Sequence, residues 1–136
     1  MDTEIYVKRG FMQNKSQILT LPFLPLSLNQ MLGVNRWKLK KLKDKFQKDV
    51  MLFLNLAKLK PYTKPVKIVV ILEFATKRRR DYDNYTGGLK WLIDCLCMKK
   101  IIPDDNSKYI SESPKVIFRE AKEDKTIILL KGARNG

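Results

Sequence analysis

The stretch VKIVVILEF, Val66 to Phe74, constrains the fold more than any other part of the chain. Only Lys67 and Glu73 interrupt its apolar, largely β-branched composition. A run of this kind predicts a buried strand in the middle of a sheet. Every backbone N–H and C=O of such a strand needs a partner, so strands must flank it on both sides. One candidate is QILTLP, Gln17 to Pro22, which its proline ends. KVIFREAK and KTIILLK, which flank ED, read as a closing hairpin. A short strand at EIYV is a further possibility within the lead-in, residues 1–16.

Helices fill the gaps between these strands. From roughly Trp37 to Leu59, Leu39, Leu42, Phe46, Val50, Phe53 and Ala57 recur at steps of three and four and make one apolar face. Lys38, Lys41, Lys45 and Lys48 recur in the same way and make a basic stripe on another face. A second helix is expected from about Leu89 to Lys99, with Leu89, Leu92, Ile93 and Leu96 inward. Pro103 stops it, and DDNS reads as a turn. LPFLPLSLNQMLGVNRW and ATKRRRDYDNYTGG read as loops, and residues 131–136 as a tail. The order β-α-β-α-β-β predicts a single α/β (α+β) domain: a small mixed sheet with two main helices packed on one face. A length of 136 residues suits one such domain.

Charge narrows the function. The formal net charge is +14, with 28 basic and 14 acidic side chains. A folded domain this basic repels itself, which points to a polyanionic partner, with nucleic acid ahead of an anionic membrane surface. There is no histidine, which removes histidine general bases, histidine metal sites and the Ser-His triad. No apolar run reaches the ~18 residues that a membrane span requires. The first sixteen residues show no apolar core of a signal peptide, so a cytoplasmic location is expected. Cys95 and Cys97 lie two apart on a helix, point in different directions, and read as reduced thiols.

The chemistry-bearing residues are acidic. Asp81, Asp83, Asp104 and Asp105 fall in the loops at the two ends of the second helix. A helix of about eleven residues spans ~16 Å, so the loops can fold back toward one point. In an extended Asp81–Tyr82–Asp83 segment both carboxylates face the same side. Such oxygen donors suit Mg²⁺, held by one or two carboxylates together with a substrate phosphate. Each piece taken singly has a plainer reading: D-x-D as a polar loop, D-D as a turn or helix cap. Together, beside Arg78, Arg79 and Arg80, they favour metal-dependent phosphodiester chemistry. Lys90 is either a surface lysine paired with Asp94 or a cation that neutralises phosphoryl charge. Tyr82 and Tyr85 either stack on an exposed base or pack against the helix start.

The region from Arg78 to Ile110 resembles the RusA family of Holliday junction resolvases, which is common in phages and prophages. The matching elements are Arg79–Arg80, then D-x-D-N at Asp81 to Asn84, then K-x-x-x-D-x-L at Lys90 to Leu96, then IIPDD at Ile101 to Asp105. The upstream LTLPFLPLSLNQ is similar to the family's opening strand and proline loop, so the resemblance runs from about Gln17 onward. The family pattern places a lysine where this chain has Gly87; a three-residue insertion before the helix restores the spacing to Lys90. The resemblance implies a Mg²⁺-dependent homodimer, with Mn²⁺ as a possible substitute, that resolves four-way DNA junctions by paired symmetric nicks in recombination and repair. It implies Asp81, Asp83 and Asp105 as metal ligands, Asp104 as an adjacent candidate, and Lys90 as the catalytic lysine. A two-fold dimer would set two identical sites on a two-fold junction. Arg78 to Arg80 and the Lys38, Lys41, Lys45 and Lys48 stripe are the natural phosphate contacts. The alternative is a non-catalytic module for branched DNA or RNA. A DxD-type nucleotide-sugar transferase fits poorly, since the chain is short and strongly basic.

Overall fold

The computed structural model describes residues 16–76, 82–103 and 113–132, without the side chains of Tyr82 and Asp83. The elements in chain order are β1 (Ser16–Leu21), α1 (Leu28–Met31), α2 (Arg36–Ala57), β2 (Val66–Phe74), a 3-10 turn (Tyr82–Tyr85), α3 (Thr86–Met98), β3 (Lys115–Glu120) and β4 (Lys125–Gly132). The four strands form one sheet in the order β1-β4-β2-β3. β2 is interior, as its composition predicts. The α/β expectation of a small mixed sheet carrying two main helices holds.

Alternation along the strands places the core. Leu19, Leu21, Ile68, Val70, Leu72, Phe74, Ile128 and Leu130 are buried on one face. They join Phe46, Val50 and Leu54 of α2 and Leu89, Leu92 and Leu96 of α3 in one cluster. Among the described residues only one face of the sheet carries helices. On the other, Ile18, Leu129 and Val69 lie side by side, as do Ile127, Ile71 and Ile117. These residues are half-buried, apart from Ile117, which is exposed. The continuous apolar run of β2 is thus buried fully on one side only.

The expected β3–β4 hairpin does not form. β2 lies between the two strands, parallel to β3 and antiparallel to β4. The short link between them passes over the end of β2 and is pinned there. The Ala121 N–H donates to the Phe74 carbonyl at 2.9 Å, and the Ala75 N–H donates to Asp124 Oδ1 at 2.8 Å. Inserting β2 gives the most apolar strand two neighbours, where a hairpin would leave it at an edge.

Other boundaries differ in smaller ways. The proline-rich loop contains the short helix α1, whose Ser27 and Gln30 form a reciprocal capping box. Asn35 caps α2 by accepting from the Lys38 N–H at 2.8 Å. α2 ends at Ala57 rather than Leu59, because Lys58 takes a left-handed conformation with φ 51°. α3 starts at Thr86, three residues earlier than its apolar pattern suggests. Ser16, Lys131 and Gly132 belong to strands rather than to the lead-in and tail. The EIYV strand lies outside the described residues. Among the described residues no helix is long and apolar enough to cross a membrane.

Among the described residues Gln17 and Thr126 are the buried polar side chains, and both are satisfied. The Gln17 amide brackets the backbone of Lys60, donating at 2.8 Å and accepting at 2.7 Å. Thr126 Oγ1 donates to the Phe23 carbonyl at 2.7 Å. Both cysteines are free thiols. Burial, with a smaller contribution from the Asp94 charge, pushes the Cys95 thiol up to about 11. At pH 8 only ~0.1% of Cys95 would then be thiolate, the form that reacts. Iodoacetamide is therefore expected to modify half-buried Cys97 first and Cys95 only on unfolding. Mass spectrometry of the labelled peptides checks this, and equal rates in the folded protein would refute it.

Candidate functional site

The acidic turn is built on a short stretch that three contacts hold. Tyr85 is buried against Phe74 and Phe118, with ring centroids 5.7 and 5.8 Å away. Those two rings also meet each other edge-on at 5.5 Å. Asn84 Oδ1 accepts from the Asn29 N–H of α1 at 3.3 Å. Gly88 lets the first turn of α3 approach Leu26, where a Cβ would stand 2.3 Å from the Leu26 carbonyl oxygen. The turn is thereby fixed to the sheet, to α1 and to the proline loop at once.

These contacts assign roles to three residues. Tyr85 packs in the core, so base stacking is ruled out for it. Asn84 spends its side-chain oxygen on α1. The glycine pair, which reads in sequence as loop, lies inside α3 because the proline loop needs the space above Gly88. A Cβ at Gly87 would only touch the Met31 side chain, 3.5 Å from Sδ, which is ordinary contact.

The backbone of Asp83 lies in the 3-10 turn, immediately before α3. Asp81, Asp104 and Asp105, and the arginines Arg78, Arg79 and Arg80, lie outside the described residues, as does the Asp83 side chain. Lys90 sits near the start of α3, exposed, with Nζ 3.4 Å from Asp94 Oδ1. That is the i,i+4 pair expected of a surface lysine.

The exit from α3 is as firmly held as its start. Lys100 turns left-handed with φ 60°. The N–H groups of Ile101 and Ile102 both donate to the Leu96 carbonyl, at 2.9 and 3.3 Å. The Tyr62 N–H donates to the Ile101 carbonyl at 2.8 Å. Both isoleucines are buried, and Pro103 follows at the surface. Tyr62 is itself buried, and its hydroxyl donates to the Leu130 carbonyl at 3.3 Å. Burial raises that hydroxyl's pKa, partly offset by Gln17.

The lysine stripe is present on the solvent face of α2. Lys38, Lys41, Lys45 and Lys48 are all exposed. Lys45 pairs with Asp49 at 3.0 Å, and Lys41 Nζ stands 3.8 Å from the centroid of the Trp37 ring. α2 has no acidic residue in its first turn. In the sequence Trp37 marks only the start of the helix and has no role of its own. Its position beside Lys38 and Lys41, away from the Leu39–Leu42–Phe46 face, was the available signal.

The donor set at the acidic loops is all oxygen. There is no histidine, and Cys95 is turned into the core with its thiol protonated. Such donors fit a hard cation such as Mg²⁺ better than zinc. No protein-family model matches the chain, and no curated protein matches it significantly.

Proposed function

We propose that this chain is a metal-dependent, structure-specific endodeoxyribonuclease that acts on four-way DNA junctions as a homodimer, in recombination and repair. The observation that carries the reading is the anchored turn. A D-x-D-N segment, tied down through Asn84, Tyr85 and Gly88, heads a helix that bears Lys90, in a chain of net charge +14. Binding and orienting a phosphodiester for reaction requires a support that does not shift. Asp81 and Asp83, with Asp104 and Asp105, would hold Mg²⁺ or Mn²⁺. The bound ion would supply a nucleophilic water and neutralise phosphate charge. Lys90, near the start of α3, would add positive charge there. Arg78 to Arg80 and the α2 stripe would hold the phosphate backbone.

The reading makes one geometric demand. Ile102 is anchored at Leu96, ~15 Å along the helix axis from Thr86. Three residues of chain reach ~11 Å at most. A cation shared by Asp83 and Asp105 of one protomer therefore needs residues 103–105 to run back along α3. The Lys90–Asp94 pair favours the second reading, a module that binds branched DNA or RNA without cutting it.

A nicking assay separates the two. With end-labelled four-way junction and Mg²⁺, paired symmetric nicks are expected. EDTA should abolish them, and Mn²⁺ should restore them. Junction binding without any metal-dependent product would sink the enzyme and leave the binding module.

A further inference from the structure

We infer that Trp37 is a stacking platform for an unpaired nucleobase, with the lysines of α2 holding the phosphates beside it. The inference rests on the nucleic-acid reading above and assigns a residue that reading does not use. Trp37 is 70% exposed. Among the described side chains every other aromatic ring is buried or half-buried. A tryptophan normally contributes by burying most of its large surface, and this one does not.

The ring nonetheless has a preferred orientation. Lys41, one helical turn on, sits over one face at 3.8 Å from the centroid. That cation–π contact, weak at an exposed site, biases the indole toward one orientation and leaves the opposite face to solvent. A flat apolar face open to solvent is what a base stacks on, and any base fits it.

The surroundings select the ligand. Around Trp37 the solvent face of α2 carries Lys38, Lys41, Lys45 and Lys48. Lysines are depleted at the centres of protein–protein interfaces, so this ring is a poor anchor for another protein. Basic side chains interleaved with an exposed aromatic are the arrangement that binds single strands. Lys38 to Lys48 spans ~15 Å along the axis, about four nucleotides at ~3.4 Å each. The platform also lies within reach of the acidic turn. Met31 lies beside Gly87 at the start of α3, and six residues of chain, at most ~20 Å, separate it from Trp37. Flaps and single strands offer such bases, and the open crossover of a four-way junction without divalent cation exposes the faces of its innermost pairs; continuous duplex offers neither.

The chain has two tryptophans, and Trp91 packs against Phe46. Trp91→Phe therefore leaves Trp37 as the single reporter. Its fluorescence is followed in EDTA while a four-way junction, a single strand or a long duplex is added, and anisotropy gives the affinities. Quenching by junction and single strand is expected, with little by duplex. Trp37→Ala is expected to weaken binding to junction and single strand by roughly 5- to 150-fold and to leave duplex binding within about twofold. Trp37→Phe should keep most of the affinity. Salt-dependent binding with no quenching, and wild-type affinity in Trp37→Ala, would overturn the platform and leave the nucleic-acid reading standing. Equal loss on duplex and single strand would overturn it too, as a support for the lysines. A change in oligomeric state on sedimentation, with affinity per protomer kept, would overturn it in favour of a protein contact. Absence of DNA binding by the wild type would overturn both readings.

Discussion

Asp81→Asn is expected to remove metal-dependent cleavage of a four-way junction while junction binding is kept or tightened. Under the proposed chemistry Asp81 contributes a carboxylate to the cation that activates water. Asparagine keeps the shape and removes the charge that holds the ion. Losing one such electrostatic contribution typically costs ~10²–10³-fold in rate, and losing the ion costs more. Binding moves the other way, because a carboxylate near phosphate repels it when no cation stands between them. The two readouts therefore split: nicked product on a denaturing gel falls, and affinity by anisotropy in EDTA holds or rises. Under that chemistry the same opposition would account for three arginines running straight into Asp81 and Asp83 in RRRDYDN. Without the ion the two charge types would compete for the backbone; with it they would act on one phosphate. Loss of binding in a folded Asp81→Asn variant would place this residue in DNA contact and not in catalysis.

The second large effect is on stability. Leu96 is fully buried in the common core, and its carbonyl accepts from both Ile101 and Ile102. Leu96→Ala removes its apolar contacts and opens a cavity beneath the exit from α3. Such truncations cost ~3–5 kcal/mol, against a total of ~5–15 kcal/mol for a domain. Urea unfolding should show the midpoint falling steeply with little change in slope. Pro103 and the aspartates that follow are carried on the segment that Leu96 anchors. Junction cleavage is therefore expected to fall well below the melting point of the variant. A shift worth under ~1 kcal/mol would mean that this corner of the core is not packed as described.

Much of the fold is legible along the chain, for reasons local to it. Val66 to Phe74 is a strand because little else tolerates so many β-branched residues in succession. The helix over Leu39 to Ala57 follows from the period of its apolar residues, although Leu54 completes the buried face with Phe46 and Val50, Phe53 is half-buried and Ala57, expected inward, is exposed. The lysine stripe follows from the same period on the opposite side. Pairing is where local reading fails. β3 and β4 are separated by four residues and look like a hairpin, yet each pairs with β2. Nothing in KVIFREAK or KTIILLK states this. Two hydrogen bonds at the end of β2, through Phe74 and Asp124, make the crossing possible.

The candidate site divides in the same way. The spacing of Asp81, Asp83, Lys90, Asp104 and Asp105 marks it in one dimension. Tyr85 looked able to meet a base or to pack and is buried; Trp37 marked only the start of a helix and is exposed. Each outcome turns on which rings and backbone arrive from elsewhere: Phe74 and Phe118 over Tyr85, Leu26 against Gly88. By itself the sequence determined the four described strands, the two main helices, the charge and the residue types at the acidic loops, since these depend on propensity and periodicity within a few residues. Only the tertiary structure decided strand order, the depth of each aromatic ring and the anchoring of the acidic turn. Those are settled by burial between segments far apart in the chain, to which no local pattern is sensitive.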